Sequence, residues 1–193
     1  MPSTDACETS RLKFAESRTK LERKANSSFL QKRNTPAAKR RNVKARHGSA
    51  GRPLLIHLVF STKNRRDLIP NELRIVLWKY LAGIGRNHKI PVLAAGGTAN
   101  HVHVLIALPS DVSAAKAVQV LKANSSRWMG EHHVDFAWQE GYGAFSVSAS
   151  HLPVVVKYIQ NQPQHHAKRS FEEEFLALLR KSGVSFQPEE VFG

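Results

Sequence analysis

Ten residues constrain this chain more than any others: Asn100-His101-Val102-His103-Val104-Leu105-Ile106-Ala107-Leu108-Pro109. The run is short, apolar and rich in branched side chains, which specifies a strand. A strand sends alternate side chains to opposite faces, so His101 and His103 share one face with Leu105 and Ala107, while Val102, Val104, Ile106 and Leu108 form the other. Two imidazoles side by side can hold one divalent ion. An isolated His-x-His also suits ordinary polar residues at a strand end, so its meaning depends on what else converges on those rings.

The size of 193 residues suits one domain with an appended tail, and the 41% apolar fraction is enough for a core. A formal charge of +14, from 29 Lys and Arg against 15 Asp and Glu, favours a polyanionic partner, nucleic acid before membrane. The excess is uneven: residues 1–50 carry 13 basic and 4 acidic residues with few large apolar side chains, and read as a disordered basic arm. Such an arm can add salt-sensitive phosphate affinity or be a solvated extension. Residues 51–193 form the domain proper. The single cysteine, Cys7, excludes an internal disulfide and a Cys-based zinc cluster, no apolar run reaches a membrane span, and a cytoplasmic protein is expected.

Within the domain, Leu54–Ser61 is an apolar first strand with His57 as a satisfied core histidine. A basic turn with Lys63, Arg65 and Arg66 follows. Asn71 caps a helix whose apolar stripe is Leu73, Val76, Leu77, Tyr80, Leu81 and Ile84. Residues 90–95 form a second strand, joined through 96–100 to the antiparallel histidine strand. Ser113 caps a second helix over 114–129, with Lys122 and Arg127 on its polar side, and His132 and His133 after it face solvent. A fourth strand over 141–148 enters through glycines that imply close backbone approach. The order β-α-β-β-α-β is the ferredoxin-like α+β arrangement, an antiparallel sheet with two helices on one face and strands one and three adjacent at its centre. Additional C-terminal helices follow. Ser150 caps one that carries Tyr158 and Gln162, four residues apart and so on one helical face, with Pro163 ending or kinking it. Ser170-Phe171-Glu172-Glu173 is a capping box opening the last, which Gly183 stops.

Five blocks in order then carry a resemblance: Leu-Val-Phe-Ser-Thr-Lys-Asn-Arg-Arg at 58–66, Gly-Gly-Thr-Ala-Asn-His-Val-His-Val-Leu at 96–105, Lys-Ala-Asn-Ser-Ser-Arg-Trp at 122–128, Trp-Gln-Glu-Gly-Tyr-Gly-Ala-Phe-Ser-Val-Ser at 138–148, and Tyr-Ile-Gln-Asn-Gln-Pro-Gln-His-His at 158–166. Residues 52–186 resemble the single-tyrosine HUH transposases of the insertion-sequence 200/605 type, including the REP-associated tyrosine transposases. The resemblance implies that His101, His103 and Gln162 bind a metal and that Tyr158 is the nucleophile. It further implies cleavage and rejoining of single-stranded or hairpin DNA through a 5′-phosphotyrosine, and a homodimer in which Tyr158 of one subunit can serve the histidines of the other. Lys63, Arg65, Arg66, Lys122 and Arg127 are candidate DNA phosphate contacts.

The residue types suit that chemistry on their own terms. A phenol leaves more readily than an alcohol, so transfer through tyrosine is reversible once a cation assists. Two neutral imidazoles and an amide oxygen leave the cation its full charge, and this mixed set admits Mg²⁺ or Mn²⁺. Tyr142, between two glycines, is the rival nucleophile. His165 and His166 read as exposed. Asn100 can orient the site or simply tolerate its turn. A non-catalytic nucleic-acid-binding domain descended from such an enzyme is the alternative.

Overall fold

A computed structural model describes residues 54–132 and 135–192. The basic arm expected at 1–50, and His133, lie outside the described residues. The sheet has four antiparallel strands: β1 (Leu54–Ser61), β2 (Val92–Gly97), β3 (His101–Leu108) and β4 (Gly143–Val147), in the spatial order β2-β3-β1-β4. Helix α1 (Asn71–Asn87) follows β1 and α2 (Ala114–His132) follows β3. This is the ferredoxin-like α+β order, with β1 and β3 central.

The alternation of β1 and β3 divides the interior in two. Ile56, Leu58 and Phe60 point with Val102, Val104, Ile106 and Leu108 into a core built with Leu73, Leu77 and Leu81 of α1 and Val118, Leu121 and Met129 of α2. Each fully buried Leu there contributes on the order of 2 kcal/mol through loss of water contact. The opposite face presents His57, Val59, His101, His103 and Leu105. Four more helices follow β4: α3 (Leu152–Gln160), α4 (Gln162–His166), α5 (Phe171–Lys181) and α6 (Pro188–Phe192). Ile159 of α3 packs with Ala94 and Leu105, and Phe171 of α5 packs with Val59 and Phe145. The histidine face is therefore covered, and every residue of β3 is buried.

Several local expectations need correcting. Pro70 is the N-cap of α1, with Asn71 as its first residue and no side-chain cap. A proline fixes its own φ and lacks an N–H, so it enters a helix without leaving a donor unpaired. Strand β2 begins at Val92 rather than residue 90 and runs on through Gly97, with a bulge between Val92 and Ala94. Ser150 does not cap α3; a single 3₁₀ turn, Ala149–His151, precedes it. The break after Tyr158 falls at Asn161 (φ −99°, ψ 18°), two residues before Pro163, whose ring would meet the carbonyl of Ile159 if the helix ran on. His132 does not face solvent: its ring lies 4.5 Å from that of Trp128, and its Nδ1 is 2.9 Å from the Trp128 carbonyl oxygen. The capping box at Ser170 and Glu173 is present, Ser113 caps α2 through Lys116 N–H, and Gly183 takes φ +69° after α5.

Candidate metal and nucleophile site

The site is assembled from β3, β1 and the α3–α5 segment. Register places His103 opposite Val59 and His101 opposite Ser61, and both rings are fully buried. Gly96 of β2 lets α3 approach: a Cβ there would overlap the Ile159 carbonyl oxygen. That close approach sets Tyr158 beside β3, with its ring 5.8 Å from His103 and 6.1 Å from His57, edge-on to each. Gln162, the first residue of α4, is fully buried and its Oε1 lies 3.3 Å from His101 Nε2. The break at Asn161 thus keeps both side chains turned to the histidines, although they belong to two helices.

Two residues absent from the sequence-based site complete it. Glu174 of α5 is 2% exposed. Its Oε1 accepts hydrogen bonds from the Tyr158 hydroxyl and from Gln162 Nε2 (3.0 Å). Its Oε2 lies 3.2 Å from His103 Nε2, 2.7 Å from His166 Nε2 and 3.7 Å from His101 Nε2. His166, expected to be exposed, is turned inward with its side chain 11% exposed. His165 stays at the rim, its Nε2 3.6 Å from Glu174 Oε1. One donor atom each from His101, His103, His166 and Glu174 fall within 4.8 Å of one another.

The outer hydrogen bonds decide which ring nitrogens face inward. His101 Nδ1 is 2.8 Å from Asn100 Oδ1, which also accepts from the Thr98 hydroxyl. An amide oxygen cannot donate, so His101 carries its proton on Nδ1 and turns the Nε2 lone pair toward Gln162 Oε1. The Gln162 amide is fixed in turn by its Nε2 donating to Glu174. Two acceptors facing each other at 3.3 Å inside a protein repel unless a cation lies between them, so this donor set fits a divalent ion. His57 Nε2 lies 2.9 Å from His103 Nδ1, so His57 can accept that proton and leave His103 Nε2 free to ligate. Asn100 and His57 are thus orienting partners of the two histidines.

Electrostatics agree with neutral rings around one carboxylate. Burial, reinforced by the His103 ring, holds both His57 and His101 down to about 3, and burial lowers His103 as well. Burial alone would raise the Glu174 carboxyl; the His103 and His166 rings beside it outweigh that and hold the group far below the usual carboxylate range. Burial, with the Glu174 carboxylate beside it, raises the Tyr158 phenol well above its ordinary value. A carboxylate buried among neutral groups without a cation is costly, by several kcal/mol.

The candidate phosphate contacts are dispersed. Lys63 and Arg66 are exposed in the turn after β1, where Asn64 and Arg65 take positive φ. Arg65 pairs with Glu172 (3.1 Å) and lies over the Phe192 ring. Arg127 reaches Asn124 on the surface of α2. Lys122 is turned inward, its ammonium donating to the carbonyls of Gln139, Glu140 (2.9 Å) and Gly141 (3.0 Å). These bonds tie down the loop before β4. Tyr142 is 41% exposed on that loop.

The family model for IS200-like transposases matches residues 52–162, more than half of the chain. The chain belongs to that family. The match takes in His101, His103, Tyr158 and Gln162 and stops before His166 and Glu174. Solved structures similar to this transposase include a provisionally assigned transposase from Deinococcus radiodurans R1, 23% identical with a TM-score of 0.49 over 62% of this chain and 98% of its own. A REP-associated tyrosine transposase bound to a REP hairpin is 17% identical, with a TM-score of 0.48 over 64% of this chain and 74% of its own. No curated protein matches the chain. Among the described residues no helix is long and apolar enough to cross a membrane.

Proposed function

We propose that this transposase cuts and rejoins single-stranded or hairpin DNA through a covalent tyrosine intermediate, with Tyr158 as nucleophile and His101, His103 and Gln162 as ligands of Mg²⁺ or Mn²⁺. The observation that carries the reading is the meeting of Tyr158 with the His101–His103 cluster inside one chain, linked through Glu174. The Tyr158 oxygen attacks the scissile phosphorus, the phosphorus–O3′ bond breaks, and the strand is left as a 5′-phosphotyrosine and a 3′-hydroxyl. The released 3′-oxygen takes up a proton, and attack by a 3′-hydroxyl on the phosphotyrosine reverses the step. When bound, the divalent ion offsets charge developing on the non-bridging oxygens and favours ionisation of the nearby phenol.

This chain's own residues prepare that step. Asn100 and His57 hold the ring nitrogens, Gln162 contributes an oxygen without cancelling cation charge, and Glu174 holds the Tyr158 hydroxyl by its proton. Without a cation the proton stays on the phenol, since its affinity is raised while that of Glu174 is lowered. Lys63, Arg65, Arg66, Lys122 and Arg127 serve as phosphate contacts in this reading, with the protein cytoplasmic and a homodimer in which each chain keeps its own tyrosine. Labelled hairpin DNA incubated with the protein and Mn²⁺ should yield an adduct that survives denaturing gels and disappears with EDTA. Retention of DNA on native gels with no adduct under any divalent ion would favour the non-catalytic alternative.

A further inference from the structure

The residues that follow the family match carry chemistry of their own. His166 Nδ1 lies 2.9 Å from the Arg169 carbonyl oxygen, which can only accept, so the ring's proton is held on Nδ1 and its Nε2 is turned toward Glu174 Oε2 at 2.7 Å. This is the arrangement of a ligating histidine, whose outer nitrogen donates to a backbone carbonyl. His101 is set in the same way by Asn100. The Nε2 atoms of His101, His103 and His166 converge on one oxygen, Glu174 Oε2, at 2.7 to 3.7 Å. Donors around an ion with bonds of ~2.1 Å stand ~3.0 to ~4.2 Å apart, so small adjustments of these side chains would seat one. Glu174 Oε1 is engaged separately, by Tyr158 and Gln162.

We infer that Glu174 and His166 are metal ligands in addition to His101, His103 and Gln162, so that the C-terminal segment completes a three-histidine, one-carboxylate site and ties it to the nucleophile. Glu174 then has two tasks, one oxygen on the ion and the other holding the Tyr158 hydroxyl. Five protein donors leave an octahedral ion one position for a phosphate oxygen or water. Three imidazoles with one carboxylate shift preference from Mg²⁺, which favours oxygen and retains its waters, toward Mn²⁺.

The inference rests on the reading that His101 and His103 hold a metal, and a titration separates the two. Metal-free full-length protein is titrated with Mn²⁺, free ion being read by electron paramagnetic resonance, and with Mg²⁺ as competitor. Thermal melts in EDTA establish that each variant is folded. The expected result is that Glu174→Gln and His166→Ala each weaken Mn²⁺ binding by about tenfold or more, that His101→Ala does the same, and that Mg²⁺ competes poorly. Pulsed measurements on the bound ion should report three imidazole nitrogens in the wild type and two in His166→Ala. Unchanged Mn²⁺ affinity in Glu174→Gln and His166→Ala, with loss in His101→Ala, overturns this inference and leaves the proposed site standing. Two nitrogens in the wild type also overturn it. If the wild type binds no Mn²⁺, both readings fail.

Discussion

His57 and His101 are buried as neutral rings, each held down to about 3 against an ordinary value of 6.5. The unfolded chain binds these protons below pH 6.5 and the folded chain does not, so stability is full above that pH and is lost as pH falls toward 3. Each group costs up to ~1.4 kcal/mol per pH unit in that window. Urea unfolding in EDTA should show roughly 2–4 kcal/mol less stability at pH 5 than at pH 7; a flat profile would mean the rings are not held neutral. The histidine pair was legible in the sequence because alternation puts two histidines on one strand face. Glu174 was not, since it follows Glu172 and Glu173 in what looks like a solvated acidic turn. Its signal was helical phase: Glu174 lies in the same stripe as Phe171, Phe175 and Leu178, an acid on an apolar face. His166 was obscured by Pro163, which left the path of the chain after Gln162 open. Lys122 sits on the polar side of α2, and only the path of residues 139–141 reveals that its ammonium holds three carbonyls.

At the level of elements, the placement of Tyr158 depends on how closely α3 approaches β2. Gly96 is where that contact is decided, because any Cβ would collide with the carbonyl at the end of α3. Gly96→Ala should destabilise the protein by ~1–3 kcal/mol and push Tyr158 away from the histidines. Adduct formation should fall much further than DNA affinity measured by fluorescence anisotropy, and a parallel loss of both would show that the contact does not position Tyr158. The sheet order, both amphipathic helices and the capping box of α5 could be read from periodicity and turn residues. The entries to α1 and α3 could not, because Pro70 and the 3₁₀ turn before Leu152 displaced the capping residues that composition favoured.

Over the whole molecule, the sheet separates a stabilising core on the α1 and α2 face from a chemical face beneath α3, α4 and α5. Each chain brings its own Tyr158 to its own His103, so subunit exchange is not needed to build the site. Mixing Tyr158→Phe protein with His101→Ala protein should therefore restore no adduct; restored activity would mean that tyrosines are shared between subunits. That the chain's own C-terminal helices cover the histidine face could not be deduced from strand patterns. In the proposed reaction Tyr158 takes the DNA. Peptide mass spectrometry of the Mn²⁺-dependent adduct decides this: the nucleotide should be found on the peptide containing Tyr158 and vanish in Tyr158→Phe, whereas modification of Tyr142, or an undiminished adduct in Tyr158→Phe, would rule Tyr158 out as the nucleophile.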